Sequence, residues 1–150
     1  MLNKKEKILL EELQNNFPLR SRPFLDLAKR LNLKEKDLIK KIRVLKNRGI
    51  IRYIGAVFDL KKIGLKSSLI ALSVKKKGLN RVVKIINSYP EITHNYLRSD
   101  KFNLWATISA NSNQKILEII RDIKKKTKIK NILNLKTIKV FKIDARFKIP

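Results

Sequence analysis

Cysteine is absent from this 150-residue chain, and histidine and tryptophan occur once each. Without cysteine there is no disulfide, thiolate zinc site, cysteine-bound iron–sulfur cluster or cysteine nucleophile. One histidine, His94, excludes a multi-histidine metal site within a single chain. An iron atom in need of a nitrogen ligand from this protein has that imidazole alone. Acidic residues are scarce as well: 12 Asp and Glu stand against 37 Lys and Arg, for a formal net charge of +25. No apolar run reaches the length of a membrane span. The opening MLNKKEKILLEEL is charged throughout and has no apolar signal core, which predicts a cytoplasmic protein. Paired carboxylates, a glycine-rich phosphate loop and a serine triad are all missing, so phosphoryl transfer and acyl hydrolysis have no support.

What is present is enough for a core. A hydrophobic fraction of 43% argues against wholesale disorder, and the length suits one ordinary domain or two small ones. The charge has two readings. An AT-rich coding bias enriches Lys, Ile and Asn in a protein of any function, and the cations run from Lys4 to Lys148 without forming one block. So much self-repulsion is nevertheless easier to tolerate beside a polyanion, and a small-molecule polyanion meets that need as well as DNA does.

The first third reads as three helices. Ile8 or Leu9, then Leu13 and Phe17, are spaced for a helix over about 4–16, which Pro18 ends. Ser21 is placed to cap a second helix ahead of Pro23, with Phe24, Leu27, Ala28 and Leu31 as its apolar stripe. After a turn at 32–34, Leu38, Ile39, Ile42 and Leu45 mark a third helix that Gly49 should stop. This is a helix-turn-helix with a supporting helix, and IIRYIGAVFDL continues it as an extended wing. After Gly64 the pattern changes to a strand (67–74), a helix (80–89), strands at 92–98 and 102–110, a helix over 112–127 and a strand within 132–143. The predicted class is α+β: a winged helix-turn-helix over 1–62 and a ferredoxin-like βαββαβ domain over 63–150. Such a domain keeps its helices on one face of the sheet and leaves the other face open.

The stretch THNYLRSDKFNLW, Thr93 to Trp105, holds both the histidine and the tryptophan. In a strand, period two puts His94, Tyr96 and Arg98 on one face and Thr93, Asn95 and Leu97 on the other. A subunit interface would use such a polar row. So would a site: neutral histidine gives and takes protons near neutral pH, and arginine clamps carboxylates in bidentate pairs. Phe102, Trp105 and Tyr96 add flat surfaces suited to a large planar ligand, although period two puts Phe102 and Trp105 on opposite faces of their strand. Elsewhere, Lys40, Lys41, Arg43, Lys46 and Arg48 on the third helix form a row for DNA phosphates, or a solvated basic face. Lysines predominate there, and they bind phosphate without choosing a sequence.

Over nearly its whole length the chain resembles the leucine-responsive, AsnC-type regulators. Four strings, FPLRSRPF (17–24), IRYIGAVFD (51–59), INSYPEITHNYLR (86–98) and FNLWATI (102–108), are together similar to the siroheme decarboxylase branch of that family. That resemblance implies a carbon–carbon lyase of the alternative haem pathway. It would convert two acetate side chains of siroheme to methyl groups, giving didecarboxysiroheme without oxidant and with no cofactor required. It also implies a homologous second subunit, in a heterodimer or a homodimer, with siroheme as the polyanion. On this view His94 supplies a proton and Tyr96 orients it or donates a second one. Arg98 anchors a carboxylate, Arg52 and Lys66 are further carboxylate contacts, and Asn95 and Trp105 complete the substrate contacts. His94 as iron ligand, with haem or siroheme bound through it, stays open beside proton donation. Two other readings stay open as well: a DNA-binding regulator that senses a small molecule, and a non-catalytic subunit that binds haem or siroheme.

Overall fold

A capping box opens α1 (Lys4–Asn15): Asn3 Oδ1 accepts from the Glu6 N–H, and a Glu6 carboxylate oxygen accepts from the Asn3 N–H at 2.8 Å. In this computed structural model, which describes residues 1–144 and 146–150, the chain forms two compact units. They are Met1–Ala56 with Lys142–Pro150, and Val57–Phe141. The last segment therefore groups with the helices, whereas a division into 1–62 and 63–150 places it with the sheet. Gln14 explains the grouping, since its side-chain amide both donates to the Phe147 carbonyl and accepts from the Phe147 N–H, each at 2.8 Å.

In the first unit α2 (Pro23–Arg30) follows an N-cap at Arg22, not the expected Ser21. No side chain among the described residues caps it. Pro23 at the first position makes a missing N–H harmless and presets the backbone. Asn32, at φ +50°, turns the chain into α3 (Glu35–Asn47). Leu9, Leu27, Ala28, Leu38, Ile42, Leu45 and Ile51 bury together as this unit's core. Gly49 ends α3 as the sequence predicts. At φ +71° it donates to the Lys46 carbonyl while the Ile50 N–H reaches Leu45, the paired bonds of a Schellman cap. No neighbour crowds its missing Cβ, so Gly49→Ala is a pure backbone test. It should lower unfolding free energy by about 1–2 kcal/mol, read as a lower urea midpoint at unchanged slope. Beyond the cap, residues 51–59 belong to no helix or ladder, so the wing is irregular chain.

The second unit is a four-stranded antiparallel sheet in the order β2-β3-β1-β4. Its strands are β1 (Lys66–Leu72), β2 (Ile92–Leu97), β3 (Leu104–Ala110) and β4 (Ile132–Lys136). Helices α4 (Leu79–Asn87) and α5 (Asn113–Thr127) supply the crossovers, and Ser112 caps the second by accepting from the Lys115 N–H. Ile70, Leu72, Leu104, Ala106 and Ile108 meet Val82 and Ile86 of α4 and the isoleucines of α5 in one core. Alternation along β3 is strict, buried residues taking turns with half-buried Trp105, Thr107 and Ser109. One face is thus sealed by helices and the other left open. On the sealed side Tyr89 donates to Asp122 at 2.6 Å, and Lys126 lies 2.7 Å from the same carboxylate oxygen. Burial, then the bond to Asp122, pushes the Tyr89 phenol above its ordinary range, so this tyrosine is a structural tie.

Candidate functional site

Two strands build the open-face site. β2 faces β3 with His94 opposite Thr107 and Tyr96 opposite Trp105. The register slips between Ile92 and His94, which leaves Thr93 as an extra residue in the strand. Such a bulge re-aims side chains. Thr93, expected on the far face, accordingly joins His94, Tyr96 and Arg98 along one groove.

The groove is open to solvent and holds about 440 Å³. Trp105, Thr107 and Ser109 come from β3, Leu69 from β1 and Leu60 from the turn before it. Its surface is mostly apolar with a few convergent polar groups, the usual make-up of an organic-ligand site. The His94 and Tyr96 rings stack at 6.1 Å between centroids and 27° between planes. The Arg98 guanidinium carbon lies 6.0 Å from the Tyr96 centroid. A proton carrier, a phenol and a permanent cation therefore form one exposed row along a flat wall.

Its support lies in the next turn. The Arg98 N–H donates to the Asn103 carbonyl at 2.7 Å. The Asn103 side chain in turn brackets Val74, donating to its carbonyl and accepting from its N–H at 2.9 Å each. Trp105 is held by its indole N–H, which donates to the Phe102 carbonyl. The Ser109 hydroxyl is buried with no hydrogen-bond partner among the described residues.

Three of the expected contacts fall outside the groove. Asn95 lies on the opposite face, where its amide donates to Asn87 at 2.8 Å, because the alternation resumes after the bulge. Lys66 shares the parity of Ser68 and Ile70, both buried on the helix side, and is exposed. Arg52 is exposed in the helical unit. Thr93, Leu60, Leu69, Thr107 and Ser109 were not anticipated. Period two in FNLWATISA already put Trp105, Thr107 and Ser109 on one face, whereas nothing local signalled Leu60. On α3, Lys40, Lys41, Arg43 and Lys46 are exposed, while Arg48 is held in an ion pair with Glu6. Among the described residues no group of three His, Cys, Asp or Glu side chains is placed to hold a metal, and no helix is long and apolar enough to cross a membrane.

Fold and groove together define the class, an AsnC-like protein with a helix-turn-helix ahead of a ligand-binding domain. Residues 62–142 match the AsnC-like ligand binding domain family, and residues 6–52 match the siroheme decarboxylase NirDL-like HTH domain family. The chain is 38% identical to the siroheme decarboxylase alpha subunit of Desulfovibrio desulfuricans, over 95% of this chain and 82% of that one. It is 34% identical to the siroheme decarboxylase of Hydrogenobacter thermophilus, over 97% of this chain but 44% of that longer protein. The chain belongs to the siroheme decarboxylase family.

Solved structures agree on the backbone. A crystal structure of the siroheme decarboxylase NirDL in complex with an iron-uroporphyrin III analogue superposes with a TM-score of 0.67 at 30% identity, over 93% of this chain and 47% of that one. Escherichia coli AsnC reaches a TM-score of 0.78 at 17% identity, over 97% of this chain and 98% of that one. At that identity the second likeness speaks for the fold alone.

Proposed function

We propose that the chain is a siroheme decarboxylase subunit, a carbon–carbon lyase acting in the cytoplasm with siroheme as substrate and no cofactor. The observation that carries this reading is the convergence of the single imidazole, a guanidinium and a tryptophan-backed apolar wall in one groove. The macrocycle needs the wall, its carboxylates need a cation, and the reaction needs a proton.

Each turnover breaks one carbon–carbon bond. An acetate carboxylate leaves as carbon dioxide, and its bonding pair stays on the exocyclic carbon, delocalised into the ring. A proton then reaches that carbon and makes a methyl group. Carboxylate and one proton go in, methyl and carbon dioxide come out, so no oxidant is required. His94 donates the proton, Tyr96 lies against its ring, and Arg98 holds a carboxylate that is not reacting. A second, homologous subunit is expected to complete the groove, whether in a heterodimer or a homodimer. Relatives named as alpha subunits support a multi-subunit enzyme, as does a relative of which this chain spans 44%.

Anaerobic incubation with siroheme and mass spectrometry of the tetrapyrrole tests the reading. Loss of two carbon dioxide units from the purified chain, or from its mixture with the homologous subunit, is the expected result. An unchanged tetrapyrrole in both would overturn it. The exposed cations of α3 favour DNA as the other partner. In that case promoter binding should weaken steeply as salt rises.

A further inference from the structure

We propose that Thr93 is a positioning residue that holds the His94 ring protonated at Nδ1, leaving Nε2 as the atom that exchanges protons with substrate. The inference rests on the decarboxylase reading of the groove. Thr93 is the residue that the bulge in β2 inserts, and His94 Nδ1 lies 3.0 Å from its hydroxyl oxygen. That hydroxyl also lies 3.5 Å from the Thr107 carbonyl across the ladder, a long contact. A carbonyl accepts and never donates, so the hydroxyl makes both contacts at once only by donating to Thr107 and accepting from the imidazole. The oxygen is then left as an acceptor, which the imidazole meets with Nδ1–H.

The consequence is chemical. Protonated, the ring carries N–H groups at both nitrogens, and giving a proton to the exocyclic carbon removes one of them. With Nδ1–H engaged by Thr93 in both states, the proton leaves from Nε2 and returns there from solvent. The ring turns over without flipping. Stacking against Tyr96 opposes a flip from its other side. Without the hydroxyl the neutral ring is free to take either tautomer, and part of the population presents the wrong nitrogen.

His94 being the only histidine, a ¹⁵N-labelled chain gives a single imidazole signal set, and its two-bond ¹⁵N–¹H correlations identify the tautomer without substrate. The neutral wild-type ring is expected to carry its proton at Nδ1, Thr93→Val to lose that preference, and Thr93→Ser to keep it. With siroheme, Thr93→Val should lower kcat about tenfold, the scale of one neutral hydrogen bond, with KM little changed and the serine variant near wild type. A wild-type ring protonated at Nε2, or a ring pattern untouched by Thr93→Val, overturns the proposal whatever the turnover. A kcat unchanged by Thr93→Val overturns it too. Failure of the decarboxylase reading would appear separately, as an unaltered tetrapyrrole with wild-type protein and its homologous subunit.

Discussion

His94→Ala should bind siroheme and fail to decarboxylate it. The expected loss in kcat is about 10²- to 10⁴-fold, the range associated with a positioned general acid. His94 is exposed and lies on an edge strand, so folding should survive the change. Binding should survive as well, because the flat wall of Trp105, Leu69 and Leu60 and the Arg98 cation are untouched. The measurement is paired: single-turnover decarboxylation beside a titration of siroheme absorbance. An unchanged iron spectrum with lost turnover assigns His94 to proton donation. A shifted iron spectrum with weakened binding assigns it to axial ligation and removes it as the acid. Turnover near wild type would exclude both roles and leave Tyr96 as the donor to test.

How far this site was legible before the fold depends on which force sets each residue. Helix ends are local affairs. Gly49 is read correctly because a left-handed residue after an apolar stripe has few other uses. Ser21 misleads, since two residues compete for the start of α2 and the proline's fixed φ decides. Period two places His94, Tyr96 and Arg98 together because each strand face follows from the backbone alone.

The bulge at Thr93 is a property of two strands and not of one. It exists in the offset between Ile92↔Ile108 and His94↔Thr107, and no pattern within THNYLR announces it. That one residue carries Thr93 into the groove while Asn95 remains opposite. Lys66 and Arg52 are expected from position and charge, and neither gives a direction without strand parity. Leu60 reaches the groove from a turn in which the Leu65 N–H bonds back to the Leu60 carbonyl, a placement made by tertiary structure. The sign of the net charge was informative about the ligand but not about its location, because so many of the cations lie elsewhere.

Arg98→Ala should act on binding where His94→Ala acts on chemistry. A charge-assisted hydrogen bond contributes about 1.5–3 kcal/mol, so KM for siroheme is expected to rise about 10- to 150-fold with a smaller change in kcat. Arg98 lies just past the end of β2, held by its own N–H on Asn103, and that backbone bond is independent of the side chain. The guanidinium is exposed beside the Tyr96 ring, where a cation–π contact adds about 0.5–1 kcal/mol. Stability should therefore fall little, and the two effects separate in a thermal melt without ligand. Arg98→Lys distinguishes charge from shape. Lysine restores the point charge but not the planar fork, so a bidentate clamp leaves Arg98→Lys well short of wild type, while simple attraction brings it close. An unchanged KM in Arg98→Ala would mean that the substrate carboxylates are held elsewhere, and the arginine's place in the row would then belong to a subunit contact.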